Sequence, residues 1–241
     1  MELNSLDAPV FWRIAPDCTR GRSPRRQRGG LGTVRKRCFR YAWAMDEQPP
    51  LPRSPELMSA GDTGLLVVDV QGKLVSLIPS HHWIIWNIRR LIDGAAVLGV
   101  AVAGTEQYPK GLGPTVPELA QRLGSIPAKL SFSCGACPEI FSTWESRGIH
   151  RVLVAGIETH VCVQQTVMDL LAAGRRVYLA VDATGSRHEI DHTTALRRME
   201  SAGATLTTTE AALFEWCQAA GTPQFKEISR LVQEQPPSVS T

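Results

Sequence analysis

A chain of 241 residues, 43% hydrophobic and 20% charged, is long enough to bury a core as one domain of ordinary size. Its longest apolar runs are each broken by Asp, Gly or Arg within about ten residues, too short for a helical membrane span. The formal charge of +3 is unevenly held: residues 1–45 carry ten Lys/Arg against three Asp/Glu, so the remaining 196 residues carry sixteen against twenty and sum to −4. That body has no basic stripe of the kind that binds nucleic acid.

Residues 1–60 lack apolar periodicity. RGRSPRRQRGGLGTVRKR is Arg/Gly-rich and DEQPPLPRSPELMSAGD is Pro-rich, a composition that reads as a disordered leader. An Arg-rich, acid-poor start fits a mitochondrial targeting peptide. The preferred reading begins translation at Met45 or Met58 and leaves the protein in the cytoplasm. Gly29-Gly30-x-Gly32 follows no strand and precedes no helix, so it is not a phosphate loop. The six cysteines, at 18, 38, 134, 137, 162 and 217, form no dense framework and point to a reducing compartment. Cys134 and Cys137 make a C-x-x-C that could be a redox pair. No second such pair completes a zinc site, and the motif reads as incidental.

From Gly64 onward strand and helix patterns alternate. GLLVVD (64–69), GVAVAGT (99–105), RVLVAGI (151–157) and RVYLAVD (176–182) are short, apolar and β-branched, with a marginal strand at 126–130 and a shorter one at 204–208. Helical stripes run over 81–98, where Ile84, Ile88, Leu91, Ala95 and Leu98 align, and over 138–147, 189–202 and 209–219. End-to-end alternation predicts an α/β domain over 61–221, a parallel sheet covered on both faces. Residues 222–241 form a C-terminal helix and tail, in which TPQFKEISRLVQE puts Phe225, Ile228, Leu231 and Val232 on one face.

Several chemically capable residues fall at strand ends, where such sheets bind ligands. Asp69 follows four apolar residues in LLVVDVQG and must lie at the carboxyl edge, since an unpaired charge inside the sheet costs several kcal/mol, roughly. The second strand runs into TEQYPKGLG. The strand RVLVAGI delivers Cys162 to the start of a helix whose apolar positions are Val163, Val167, Leu170 and Leu171. Free N–H groups and the helix dipole there would stabilise a thiolate, although a small buried hydrophobe fits the position as well. If Lys129 ends the marginal strand it joins this rim. Gln71, Thr105, Glu106, Gln107 and Tyr108 are candidates for the pocket wall on position.

LLVVDVQ, the central AK, AGIETHVCV and VDATGSR, in that order, resemble the isochorismatase-like cysteine hydrolase superfamily. TEQYPKGLGPTVPEL and the late TPQFKEI are similar to its eukaryotic-type isochorismatase-domain-containing members. The resemblance spans roughly residues 62–220. It implies a three-layer α-β-α fold with a six-stranded parallel sheet, Rossmann-like in kind. It also implies a catalytic triad of Asp69, Lys129 and Cys162, a cis peptide between Ile157 and Glu158, and an oxyanion hole from the backbone N–H groups of Glu158 and Cys162. Nicotinamidases of this superfamily carry a D-x-H…H metal site after the second strand. TEQYPKGLG has no such histidines, and His81 and His82 are not so spaced, so no metal and no cofactor are expected. Isochorismatases proper lack the nucleophilic cysteine.

Two other motifs compete. HEIDH, His188 to His192, matches the H-E-x-x-H zinc signature, but it follows a strand and turn, and no third ligand stands out; a helix N-terminus is the better account. His160 could serve as base in a Cys/His pair, although a side chain in that tight turn need not face the thiol. The resulting expectation is a homo-oligomeric hydrolase of a small amide or related carbonyl substrate, working through a thioester, with neither nucleic acid nor membrane as partner. The alternative is a catalytically silent binding or scaffold protein.

Overall fold

The computed structural model describes residues 51–237. The expectations for residues 1–50, Cys18 and Cys38 included, and for residues 238–241 fall outside that span. Strand β1 (Thr63–Val68) leads through the single turn α1 (Gly72–Val75) to α2 (His81–Leu98). Strand β2 (Ala101–Gln107) is followed by α3 (Pro109–Leu112), α4 (Pro117–Leu123) and the two-residue β3 (Ala128–Lys129). A 3-10 turn, Cys134–Ala136, precedes α5 (Pro138–Ser146), β4 (Arg151–Ile157) and a π-helical turn, Thr159–Val163. The chain then runs through α6 (Gln164–Ala172), β5 (Arg176–Gly185), α7 (Glu189–Ser201), β6 (Thr205–Thr207), α8 (Thr209–Cys217) and α9 (Pro223–Val232).

All strand pairs are parallel, in the order β3-β2-β1-β4-β5-β6. The chain therefore starts in the middle of the sheet, builds outward to one edge, returns to the middle and builds toward the other. Between β1 and β4 the connections leave in opposite directions, and this opens a crevice at the strands' carboxyl ends. Period-two alternation divides the core. Leu65, Val67, Leu153 and Ala155 face one layer with Ile88, Leu91, Leu213 and Ile228. Leu66, Val68, Val152 and Val154 face the other with Trp144, Val167 and Met199. Every residue of β1 is buried, as a doubly covered central strand requires.

Two contacts shape the packing around the sheet. Gly156 adopts φ +123°, and a Cβ there would lie 2.1 Å from the Val68 carbonyl oxygen, so only glycine lets β4 lie flush against the end of β1. On the opposite layer α9 docks against α2. Buried Arg90 donates from Nε to the Leu231 carbonyl (3.0 Å) and from its guanidinium to Asn87 Oδ1 (3.1 Å), with its guanidinium carbon 4.2 Å from the Trp86 ring centre.

The 151–157 strand and the 81–98 helix fall where the sequence pattern puts them. Strand β2 starts two residues later than expected and runs on through Gln107, carried by pairing to β1 and β3. Helices α1, α3 and α4 had no periodic signal, being four, four and seven residues long.

Candidate active site

Asp69 is the first residue beyond β1. Its φ of +52° lies in the left-handed region, which Asp tolerates better than most residues, and its side chain is fully buried. Oδ1 accepts from Thr105 Oγ1 at 2.8 Å and Oδ2 from Lys129 Nζ at 2.6 Å. Lys129, also buried, donates further to Gln107 Oε1 (3.0 Å) and to the carbonyls of Ser131 (3.2 Å) and Phe132 (2.8 Å). The two-residue β3 thus places one ammonium against one carboxylate with its remaining hydrogens matched to oxygens, the condition under which a buried ion pair survives desolvation.

Cys162, 4% exposed, sits in the π-helical turn between β4 and α6. The turn hangs on Glu158, whose carbonyl accepts from Val161 N (3.1 Å) and Val163 N (3.2 Å). The Ile157–Glu158 peptide bond is cis. Burial pushes the thiol up, the charge of Asp69 adds to this, Lys129 pulls it down, and a hydrogen bond to Asp69 pushes it up again. Together these causes favour the neutral thiol over the thiolate.

The wall candidates divide by strand alternation. Thr105 and Gln107 face the pair and hold Asp69 and Lys129 in place. Glu106, between them, points elsewhere: its Oε1 accepts from Thr115 N (2.7 Å) and Oγ1 (2.9 Å). Gln71 is fully buried, accepting from Gln107 N (2.7 Å) and donating to the carbonyls of Gln107 (3.0 Å) and Gly113 (2.6 Å). Glu106 and Gln71, both expected in the pocket wall, thus have side chains bonded within the scaffold. Tyr108, half exposed, lines a cavity of about 330 Å³ with Pro109, Lys110, Ala128, Lys129 and Leu130. A larger cavity, about 440 Å³, along the β2 edge shares none of the candidate site residues.

Cys134 was passed over in the sequence as half of an incidental C-x-x-C. Its buried thiol lies 3.3 Å from Thr105 Oγ1, and burial foremost, with Asp69 next, pushes it up to about 11. Only the proximity of β2 to the 3-10 turn reveals this contact. His160 is turned away from the thiol, its Nδ1 3.0 Å from Ser186 Oγ. His188 occupies the N-cap position of α7 without a side-chain capping bond, while His192 Nδ1 lies 2.9 Å from Thr159 Oγ1. Among the described residues no group of three or more His, Cys, Asp or Glu is placed to hold a metal ion. Asp182, in VDATGSR, spends Oδ1 on Thr209 N (2.8 Å) and Oγ1 (3.1 Å) at the head of α8.

The sheet order, the switch-point crevice and the thiol beside a buried ion pair define the class as a three-layer α/β protein of hydrolase type. The Isochorismatase domain model matches residues 63–211, and the chain belongs to the isochorismatase family. Human isochorismatase domain-containing protein 2 is 39% identical over 178 residues, covering 73% of this chain and 86% of that protein. A Caenorhabditis elegans structure described as MAR1 ribonuclease shares 39% identity, with a TM-score of 0.70 over 76% of this chain and 96% of its own. The YcaC gene product of Escherichia coli, described as an octameric hydrolase of unknown specificity, shares 25% identity with a TM-score of 0.65, over 70% and 85%. Among the described residues no helix is long and apolar enough to cross a membrane.

Proposed function

We propose that this chain is a cysteine hydrolase of small amide or related carbonyl substrates. The observation that carries the reading is the convergence of the buried Cys162 turn, just past the end of β4, with the buried Lys129–Asp69 ion pair at the carboxyl end of neighbouring β1. Asp69 takes the thiol proton as sulfur attacks the carbonyl carbon. The backbone N–H groups of Glu158 and Cys162 stabilise the resulting oxyanion, and Asp69 passes the proton to the departing amine. Water, deprotonated by Asp69, then cleaves the thioester, releasing a carboxylic acid and restoring the thiol. Lys129 keeps Asp69 oriented throughout. Tyr108 and the apolar cavity beside Lys129 suit a small substrate with an apolar portion. The octameric description of the Escherichia coli relative supports a homo-oligomeric state.

The test is ammonia release from a panel of small primary amides, with mass spectrometry of the Cys162 peptide to trap the acyl group. Release that disappears in Cys162→Ala and Asp69→Asn is the expected result; release indifferent to Cys162→Ala would overturn it. No release and no acylation would favour the silent scaffold. The ribonuclease description of the Caenorhabditis elegans relative supplies a reading from another class. Against it stand triad side chains buried to within 5% of complete, where a polynucleotide backbone has no access. RNA cleavage by the purified chain that requires Cys162 would replace the amide reading.

A further inference from the structure

The polar side chains at the head of the turn that carries Cys162 all reach toward one segment. Three consecutive residues, Glu158, Thr159 and His160, each find a partner in the connection from β5 to α7 or in the first turn of α7. Glu158 Oε1 accepts from Arg187 N (3.1 Å) and Arg187 Nε (3.0 Å). Thr159 Oγ1 meets His192 Nδ1 at 2.9 Å. His160 Nδ1 meets Ser186 Oγ at 3.0 Å, and its Nε2 lies 3.8 Å from Asp191. These partners include two residues of HEIDH, the motif that zinc chemistry left unexplained.

Glu158 is the pivot. Its carbonyl carries the N–H groups of Val161 and Val163, its carboxylate is buried against Arg187, and its own N–H is one of the two donors assigned to the oxyanion. A rotation of Glu158 moves that donor and the turn together. Oxyanion donors act within a few tenths of an ångström, so what fixes Glu158 fixes the rate. Arg187 is about half exposed on its own side, where an ion pair adds little to stability. A group that contributes little to folding yet completes the hydrogen bonding of a buried pivot is suited to positioning.

We infer that Ser186–His192 is a clamp on the nucleophile turn, with Arg187 the positioning residue that aims the Glu158 N–H through the Glu158 carboxylate; this rests on the cysteine hydrolase reading above. Two reagents separate the clamp from the thiol it serves. Acylation of Cys162 by p-nitrophenyl acetate passes through an oxyanion, whereas alkylation by iodoacetamide does not. In Arg187→Met, acylation is expected to slow by about 10- to 100-fold, with alkylation within about twofold of wild type; Arg187 N, which still donates to Glu158 Oε1, limits the accompanying fall in melting temperature. Arg187→Lys, which can still donate to Glu158 Oε1, restores most of the acylation rate. Thr159→Val, which breaks the second link, slows acylation in the same selective way. Equal losses in both rates, or no loss in either, would overturn the clamp while leaving the nucleophile intact. Acylation of the wild type that Cys162→Ala does not remove would overturn the nucleophile, and the clamp with it.

Discussion

Asp69 acts on Cys162 in two opposed ways. After burial itself, its charge and hydrogen bond favour the neutral thiol, yet in the proposed reaction it is also the carboxylate that takes the proton when attack begins. Removing the charge therefore separates ionisation from turnover. In Asp69→Asn both upward contributions of the carboxylate vanish and Lys129 still pulls down, so Cys162 ionises at lower pH. Iodoacetamide labelling near neutral pH is expected to rise about tenfold, while hydrolysis falls by at least about a hundredfold for want of a base. Slower labelling would show that the helix start, and not the ion pair, governs the thiol. Lys129→Met does the reverse damage. It strands a buried carboxylate and should cost about 3–5 kcal/mol in a denaturant melt; Asp69→Asn costs less, because Lys129 keeps Gln107 and two carbonyls as acceptors. Asp69, Lys129 and Cys162 were singled out in the sequence because each ends or follows a strand and because the motifs around them, taken in order, resemble the isochorismatase-like superfamily. Glu106 was grouped with Thr105 and Gln107 because position along β2 was weighed without its alternation: those two share a face that Glu106 cannot.

Strand β4 and the turn after it show what an element must supply. Gly156 gives the sheet its close approach at the Val68 carbonyl. Gly156→Ala forces either that carbonyl or the strand aside, and a large drop in melting temperature with loss of Cys162 acylation is expected. A variant that melts like wild type would show that β4 has slack there. Helix α9 is seated by its apolar face, with Ile228 in the core, and by the buried Arg90 guanidinium; Arg90→Ala removes the bond to Leu231 at a cost of about 2 kcal/mol. Limited proteolysis should then cut the chain near α9 first. Strands with continuous apolar runs and the eighteen-residue α2 were readable from periodicity. The π-helical turn was not, because one extra residue in a turn leaves no periodic trace. The clamp was equally hidden: its partners lie 26 to 33 residues apart, and only the packing of α7 over the turn brings them together.

Two buried thiols also write themselves into the stability of the whole molecule. Cys134, pushed up to about 11 from 9.0 mainly by burial, and Cys162, raised by burial and Asp69, keep their protons in the folded state where the unfolded chain releases them. Their contribution is complete below about pH 9 and drains away as the pH climbs toward the folded values. For Cys134 this amounts to roughly 3 kcal/mol by pH 11. Denaturant melts across that window should therefore decline less steeply in Cys134→Ala than in wild type; parallel declines would assign the loss to other groups. The parallel α/β architecture was legible as a whole from alternating strand and helix patterns, but the strand order was not, since nothing local says which strands become neighbours. That order has a consequence for synthesis. The ribosome releases Asp69, Thr105, Gln107 and Lys129 with β1, β2 and β3, and only afterwards Cys162 and its clamp with β4 and beyond. On the proposed reading, a chain severed between α5 and β4 leaves Asp69 and Lys129 on one piece and Cys162 on the other. The full set is assembled only when β4 pairs beside β1, so the carboxylate waits, during synthesis, for the thiol it is proposed to serve.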